Sequence, residues 1–270
     1  MSALQNGTSF LFVPAARLDR LEKALATDCA MAIIDLEDSV APADKAAARS
    51  ALAAKDLAAG AGRLLVRINA AGTPWFADDL AVLAGLDIAG AMLPKCESVP
   101  VLQDVAQALG PSRKICGLVE TARGIAAATE LAASGRVARL AFGSLDLAAD
   151  LGCGTDEQSL LLSRSTLVLA SRIADLPPPI DGVTPDFRDR ATNLAEARHA
   201  LRLGFGGKLC IHPDQVGWIA EAFMPAEAEI EHARRILASG EQAIAIDGAM
   251  VDAPVRRRAE QVLRRAGIWA

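Results

Sequence analysis

The chain has 270 residues, of which 52% are hydrophobic and only 4% aromatic, and its formal net charge is −5. This length suits one large α/β domain, and the high apolar share excludes a disordered or collagen-like chain. Since the charge balance gives no broad positive field, we expect no nucleic-acid partner and no membrane partner.

Short β-type runs alternate with amphipathic helical runs along the chain, which is the pattern of parallel βα units. Apolar residues between the β-type runs recur at three-to-four spacing, which predicts helices. The predicted strands cover residues 9–13, 30–35, 63–68, 90–94, 114–119, 139–143, 179–183 and 207–212. Eight strands separated by helices predict an α/β fold, a (β/α)8 TIM barrel over residues 1–225.

Two helical stretches do not fit the simple alternation. Residues 156–175 have no strand directly before them, so we interpret them as an insertion in the sixth βα unit. Residues 226–270 follow the eighth strand and contain two more helical segments. A barrel does not need them, so they are predicted to be a helical extension that acts as a lid or oligomer contact and is not an independent domain. Among the helix starts, Ser98 and either Thr192 or Asn193 are the expected N-caps.

Nearly every predicted strand ends in a polar or charged residue. In parallel barrels the loops after the strand ends build the active site, so these side chains should converge on one mouth. A purely structural barrel needs none of them there, and their concentration favours an enzyme. The strand-end residues are Asp35, Glu37, Asp38, Arg67, Asn69, Lys95, Glu120, Ser144, Asp146, Asp181 and His212.

Glu120 and Asp146 stand out because each follows an apolar strand, and the two strands are neighbours in the predicted barrel. Two carboxylates placed in this way repel each other unless a positive charge lies between them. Mg²⁺ prefers oxygen ligands and often takes only one or two carboxylates, with water and substrate completing its shell. Alternatively, Arg67, Lys95 or Arg123 neutralises the pair without a metal, and these residues alone leave both interpretations open.

Other site chemistries find little support in the sequence. The five cysteines are isolated, without C-x-x-C spacing, and are expected to be reduced packing residues. His199 and His232 lie in helical segments and are expected to be exposed, whereas His212 is placed for function. The absence of G-x-S-x-G and G-x-G-x-x-G disfavours covalent catalysis and dinucleotide binding. No signal peptide and no long apolar run are apparent, which predicts a soluble cytoplasmic protein.

Eight short motifs follow one another along nearly the whole chain. They are SFLFVPA (9–15), IIDLEDSV (33–40), VRINAAGTPWFADDL (66–80), MLPK (92–95), GLVETARGI (117–125), FGSLDLAADLG (142–152), KLCIHPDQV (208–216) and MVDAP (250–254). In this order they resemble the citrate lyase β-subunit-like enzymes of the HpcH/HpaI aldolase superfamily.

The resemblance implies a (β/α)8 barrel, CoA-thioester substrates, and Mg²⁺ held by Glu120 and Asp146. It also implies that Arg67 contacts the substrate and stabilises the thioester enolate. The chain is then expected to form a homotrimer or hexamer, in which Asp252 caps the site of a neighbouring subunit. From their strand-end positions, Asp38, Lys95, Asp181 and His212 are the further expected substrate-binding residues.

The implied reaction is cleavage of a 3-hydroxyacyl-CoA, such as citramalyl-, malyl- or citryl-CoA, into an acyl-CoA such as acetyl-CoA and a 2-oxo acid. Asp252 from the neighbouring subunit is the first candidate for proton transfer, and Glu37 is the second. The alternatives are a malyl- or citramalyl-CoA thioesterase, a CoA-independent pyruvate-type aldolase, and a non-catalytic or carrier-dependent subunit of a citrate lyase-like complex. Leu145 and Ala249 replace a glutamate and a basic residue common in relatives, which leaves the acyl substrate open.

Overall fold

A closed barrel of eight parallel strands forms the first of two units into which the chain folds. The structure is a computed structural model that describes residues 2–239, 244–246 and 249–268. The first unit ends at Ile219, and the second begins at Ala220. The strands lie around the barrel in chain order: β1 (Ser9–Pro14), β2 (Met31–Asp35), β3 (Leu64–Arg67), β4 (Gly90–Leu93), β5 (Lys114–Val119), β6 (Val137–Phe142), β7 (Ile180–Asp181) and β8 (Gly207–Cys210).

Helices α2 to α9 separate the successive strands, as parallel pairing requires a crossover between neighbours. Helix α1 precedes β1, and α10 follows β8. The helices are α1 (Ala3–Asn6), α2 (Leu21–Leu25), α3 (Lys45–Ala54), α4 (Phe76–Leu83), α5 (Val99–Leu109), α6 (Ala122–Ala133), α7 (Ser144–Leu151), α8 (Leu161–Ile173), α9 (Arg190–Leu203) and α10 (Pro213–Phe223). Short 3₁₀ helices cover Ala15–Arg20, Pro42–Asp44 and Ala58–Arg63. None of the described helices is long and apolar enough to cross a membrane.

The barrel strands are apolar on both faces, because one face fills the barrel and the other packs against helices. Alternate residues such as Met31 and Ile33 belong to one buried cluster with Phe10, Leu65 and residues of the other strands. The residues between them, including Ala32 and Ile34, are equally buried. This two-sided burial explains why the strands appear in the sequence as nearly continuous apolar runs.

The register of the strands brings their polar ends to one edge. Asp35 on β2 lies directly across from Arg67 on β3, and Val119 on β5 lies across from Phe142 on β6. Residues that follow these positions therefore leave the sheet at similar heights. This geometry is what assembles side chains distant in sequence into one mouth.

All eight predicted strands are confirmed, but the interpretation of residues 156–175 as an insertion is wrong. Helix α8 packs against β6, α6 and α9, so it is the regular outer helix of the sixth βα unit. The additional element is α7, which begins immediately after β6 and Gly143. The sequence could not separate these two helices by their period alone, because both are amphipathic.

One of the two expected helix caps differs from the prediction. Ser98 is the N-cap of α5 with an extended backbone, as expected, although its side chain makes no capping bond. Helix α9 is capped by Asp189 and not by Thr192 or Asn193. The Asp189 carboxylate accepts hydrogen bonds from the N–H groups of Ala191 at 3.0 Å and Thr192 at 3.2 Å, which satisfies donors that the first helical turn leaves free.

The second unit contains an antiparallel strand pair and two packed helices. These are β9 (Ile244–Ile246), β10 (Ala249–Val251), α11 (Glu227–Ala238) and α12 (Ala253–Arg265). Ile230, Ile236 and Leu263 are among the residues of its own buried cluster. Asp252 is the N-cap of α12 and accepts a hydrogen bond from Val255 N at 3.2 Å. The role of residues 226–270 as a lid or oligomer contact stays a prediction, and the side chain of Ala249 lies outside the described residues.

Candidate active site

A cavity of about 340 Å³ lies where the polar ends of the barrel strands converge. Charged and apolar side chains share its wall. The residues that line it are Phe12, Pro14, Asp35, Asp38, Ser39, Arg67, Leu118, Glu120, Phe142, Gly143, Ser144, Leu145, Asp146, Val183, Leu209 and Ile211. The predicted convergence therefore brings together Asp38, Arg67, Glu120 and Asp146.

Arg67 is held in this cavity by three carboxylates. Asp35 binds it at two points, with Arg67 Nε 2.7 Å from Oδ1 and Nη2 2.8 Å from Oδ2. Nη1 lies 3.1 Å from Glu37 Oε2 and 3.2 Å from Asp38 Oδ2. Burial alone would lower the pKa of Arg67, but the hydrogen bonds and charge of Asp35, aided by Glu37 and Asp38, raise it instead. The guanidinium is therefore a fixed positive charge.

The Asp35 carboxylate is itself fully engaged. In addition to Arg67, the backbone N–H groups of Glu37 and Ser39 donate to it at 2.9 and 3.0 Å. Burial would raise the pKa of Asp35, but the hydrogen bonds and charge of Arg67 outweigh burial and lower it. Since Asp35 has no free oxygen to offer a ligand, its place in the cavity is to orient Arg67.

Glu37 connects Arg67 to Lys95. Its Oε1 accepts a hydrogen bond from Lys95 Nζ at 3.0 Å, while its buried Oε2 has no aligned hydrogen-bond donor among the described residues. Burial raises the pKa of Glu37, and the positive charges of Arg67 and Lys95 offset this only in part. Glu37 is thus a carboxyl group that can carry a proton more readily than an ordinary glutamate.

Glu120 follows β5 and is fixed from two sides. Its Oε1 accepts a hydrogen bond from the backbone N–H of Lys95 at 2.8 Å, and Lys95 adopts the left-handed φ of 45° to present that group. On the other side, a Cβ atom at Gly143 would lie 2.5 Å from Glu120 Oε2. Glycine at the end of β6 is therefore required for the carboxylate to occupy this position.

Glu120 forms no ion pair with a described residue, although the charge of Arg67 acts on it from a distance. Burial, followed by the negative charge of Glu37, raises the pKa of Glu120 to about 8; Asp146 contributes to the same shift. Asp146 lies in the first turn of α7 and accepts no hydrogen bond from the described part of the chain. No group of three or more histidine, cysteine or acidic residues among the described residues is arranged to hold a metal. A cation here would have two protein carboxylates and open positions, which fits Mg²⁺.

Asp181 and His212 are not among the residues that line this cavity. Asp181 is buried between Arg164 Nε at 3.0 Å and Lys208 Nζ at 2.9 Å. It lines an adjoining cavity of about 240 Å³, which shares Ser144, Leu145 and Val183 with the first. His212 stacks on Phe187 with ring centroids 4.8 Å apart. Lys95 contacts the site through Glu37 and Glu120, as described above. Substrate binding by Asp38, Lys95, Asp181 and His212 stays a prediction.

Several features of the site were not found from the sequence. Asp35 was recognised as a strand-end acid but not as the residue that orients Arg67. The expectation that His199 is exposed is wrong, because its Nδ1 lies 3.0 Å from Glu157 Oε2 and its side chain is only 16% exposed. Gly143 gave a usable signal, since a glycine directly after a β-type run indicates a close approach of other atoms. The predicted packing role of the cysteines is confirmed for four of the five, and Cys153 is exposed.

Comparison with known proteins is consistent with this geometry. Residues 8–213 match the family model described as HpcH/HpaI aldolase/citrate lyase. The chain is 39% identical to a citrate lyase subunit beta-like protein of Mycobacterium tuberculosis, over 97% of this chain and 96% of the relative. It is 35% identical to a (3S)-malyl-CoA thioesterase (96% and 94% covered) and 34% identical to an L-malyl-CoA/beta-methylmalyl-CoA lyase (95% and 93%), both of Cereibacter sphaeroides.

The fold also matches a solved structure over almost its full length. The crystal structure of CitE from Mycobacterium tuberculosis in complex with magnesium, acetoacetate and coenzyme A has a TM-score of 0.86 and 40% sequence identity. The match covers 97% of this chain and 98% of that one. The (β/α)8 architecture predicted from the sequence is therefore confirmed.

Proposed function

The chain belongs to the HpcH/HpaI aldolase/citrate lyase family, and from this premise we propose that it is a magnesium-dependent carbon–carbon lyase. Its substrate would be a 3-hydroxyacyl-CoA of the citramalyl-, malyl- or citryl-CoA type. The observation that carries the proposal is that one cavity holds a rigidly oriented arginine and two carboxylates that form no ion pair with the described residues. A retro-Claisen cleavage needs both features.

Glu120 and Asp146 would hold the magnesium ion. When bound, Mg²⁺ supplies Lewis-acid stabilisation to the hydroxyl and carboxylate of the substrate. The chain prepares for it by fixing Glu120 Oε1 on Lys95 N and by leaving space for the carboxylate at Gly143. The magnesium in the complex of the CitE relative supports the same cofactor for this chain.

Arg67 would stabilise the charge that develops during cleavage. The bond between the hydroxyl-bearing carbon and the carbon next to the thioester breaks, and its electron pair moves onto the thioester as an enolate. A guanidinium that Asp35 already orients meets this charge without reorganising, which is the most effective form of electrostatic stabilisation. The hydroxyl-bearing carbon loses the proton of its hydroxyl group and becomes the carbonyl carbon of a 2-oxo acid.

Two protons must also move, one from the hydroxyl and one to the enolate carbon. Two observations support proton transfer by Glu37. Burial raises its pKa, and its Oε2 has no aligned hydrogen-bond donor among the described residues. Asp252 is the other candidate, supplied by a neighbouring subunit of a homotrimer or hexamer. A titratable carboxyl within hydrogen-bond reach of the reacting atoms is the requirement that either must meet.

Thioester hydrolysis is the second candidate function, and the similarity to a (3S)-malyl-CoA thioesterase favours it. In that case water attacks the thioester carbonyl, and the carbon skeleton of the substrate stays intact. The two reactions share the same substrates and differ in their products. Identification of the products therefore distinguishes the two reactions, whereas substrate binding does not.

The deciding experiment incubates the purified protein with citramalyl-, malyl- and citryl-CoA, with Mg²⁺ and with EDTA, and identifies the products by mass spectrometry. We expect a 2-oxo acid and an acyl-CoA to appear only with Mg²⁺. Free CoA with an intact hydroxy acid would replace the lyase by the thioesterase. No turnover of any of the three esters would contradict both.

A further inference from the structure

The central cavity has a charged region around Arg67 and an apolar region that lies mainly across the barrel from it. Asp35, Asp38 and Arg67 come from the ends of β2 and β3. Leu145 and Val183 follow β6 and β7, which lie across the closed barrel from β2 and β3, and Ile211 follows the next strand, β8. We call these last three residues the apolar wall.

The apolar wall is exposed to the cavity although it is hydrophobic. Leu145 is 42% exposed and Ile211 is 43% exposed, and both line the cavity. Exposed apolar side chains in a concave site gain free energy when a ligand covers them, whereas a charged ligand group placed there loses its water without a partner. The wall therefore favours an apolar group of the substrate.

The positions of the other substituents identify the substrate group that faces the apolar wall. The hydroxyl-bearing carbon of a 3-hydroxyacyl-CoA has four substituents. Its hydroxyl and carboxylate belong next to Glu120 and Asp146, and its thioester-bearing arm belongs beside Arg67. The fourth substituent then lies on the side away from Arg67, which is the side of the apolar wall.

We propose that the apolar wall is a subsite for a small alkyl group on the hydroxyl-bearing carbon of the substrate. The 2-oxo acid released would then carry a methyl or similar group, as pyruvate does, in place of the hydrogen of glyoxylate or the carboxymethyl group of oxaloacetate. The inference rests on the proposed lyase function and selects among its substrates. Leu145, adjacent to Asp146 in the chain, is the residue that contributes most to the selection.

The size of the effect follows from the nature of the group. One methyl group in an apolar pocket changes kcat/KM by roughly tenfold to 200-fold. We therefore expect citramalyl-CoA to be cleaved at least about tenfold more efficiently than malyl-CoA. Citryl-CoA should be poorer still, because its extra carboxylate would lose water against Leu145, Val183 and Ile211, whose side chains donate no hydrogen bond.

The test compares kcat/KM for citramalyl-, malyl- and citryl-CoA in the unmodified protein and in Leu145→Gln, which keeps the side-chain length but makes it polar. A second measurement determines the Kd of pyruvate, glyoxylate and oxaloacetate by calorimetry in the presence of Mg²⁺. Leu145→Gln should reduce cleavage of citramalyl-CoA and binding of pyruvate by roughly tenfold, with smaller changes for malyl-CoA and glyoxylate.

Leu151→Gln is the matched control. Leu151 ends the same helix α7 and is 47% exposed, but it does not line the cavity. Leu151→Gln should leave the relative kcat/KM values of the three esters and the relative Kd values of the three 2-oxo acids unchanged. Equal or better use of malyl-CoA or citryl-CoA by the unmodified protein, or an unchanged preference in Leu145→Gln, would overturn the subsite and leave the lyase standing. If no ester is cleaved, the lyase fails, and the binding preferences still decide about the subsite.

Discussion

The two charged clusters in the mouth of the barrel differ in how completely they are satisfied. Around Arg67, three carboxylates and Lys95 form a connected set of ion pairs at distances from 2.7 to 3.2 Å. In the second cluster, Glu120 and Asp146, one hydrogen bond anchors a carboxylate, and the backbone N–H of Lys95 donates it to Glu120. Every carboxylate of the first cluster has an ion-pair partner, whereas the second cluster would be completed by the magnesium ion that we propose. We therefore expect rigid positioning and metal binding to depend on different residues.

The largest expected effect comes from removing a charge in the incomplete cluster. Glu120→Gln and Asp146→Asn should each reduce Mg²⁺-dependent turnover by roughly a thousandfold, since a carboxylate metal ligand is lost. Folding should be retained in Glu120→Gln, because the amide keeps an oxygen that can accept the hydrogen bond of Lys95 N. Turnover and Mg²⁺ binding by calorimetry measure the effect. Full activity in either variant would refute the metal assignment.

The next effect tests the complete cluster. Asp35→Asn breaks the two-point contact with Arg67 and leaves a buried guanidinium partly unpaired, so the free energy of unfolding should fall by about 3 kcal/mol. We expect kcat to fall by roughly a hundredfold, because a misplaced charge stabilises the enolate poorly, while the Kd for Mg²⁺ stays unchanged.

Asp175→Asn serves as the control for this variant. Asp175 pairs with Arg172 at 3.6 Å, but both side chains are more than four-fifths exposed, at 87% and 83%. Such exposed pairs contribute about 0 to 1 kcal/mol. The assignment of separate roles to the two clusters is wrong if Asp35→Asn lowers the free energy of unfolding as little as Asp175→Asn does. It is also wrong if Asp35→Asn weakens Mg²⁺ binding as much as turnover.

A smaller effect is expected from crowding Glu120 without changing any charge. In Gly143→Ala the new Cβ collides with the Glu120 carboxyl group, which must turn away from its present position. A ligand displaced by about 1 Å should weaken Mg²⁺ binding by roughly tenfold, as supporting residues of metal sites do when altered. Gly62→Ala, where no atom lies within 4 Å of the added Cβ, should have no such effect. Calorimetric titration with Mg²⁺ compares the two.

The sequence predicted the incomplete cluster better than the complete one. Glu120 and Asp146 could be found because each directly follows an apolar strand, and strand order alone makes them neighbours. The role of Asp35 depends on its position across from Arg67 in the barrel register, which a single sequence does not contain. The apolar wall was equally hidden, since Val183 and Ile211 look like ordinary strand residues until the barrel closes. The same lack of tertiary information caused the errors on α8 and His199.

The smallest expected effect is a pH dependence of the stability of the metal-free protein, which arises from the protonation of Glu120. The pKa of Glu120 is raised from 4.5 to about 8 in the folded protein. The folded state therefore holds this proton more tightly than the unfolded state, and the metal-free protein should lose stability as pH rises from about 4.5 to about 8. Above that range the contribution is constant. In the Arg67 cluster, Asp35 should add no loss in this window because its pKa is lowered. The raised pKa of Glu37 acts in the same direction as that of Glu120, but Glu37 is present in both proteins of the comparison below.

Mg²⁺ should reverse this loss, since it binds the deprotonated carboxylate and releases the proton. The measurement is the difference in Tm between the unmodified protein and Glu120→Gln, followed from pH 5 to 9 in EDTA and in excess Mg²⁺. In EDTA the Tm of the unmodified protein should decrease by a few degrees relative to that of the variant as pH rises, because about 1 kcal/mol corresponds to roughly 2–4 °C for a chain of this size. In excess Mg²⁺ the Tm of the unmodified protein should instead increase relative to that of the variant as pH rises. A constant difference at all pH values in both conditions would mean that Glu120 is already satisfied without a cation, and the contrast between the two clusters would disappear.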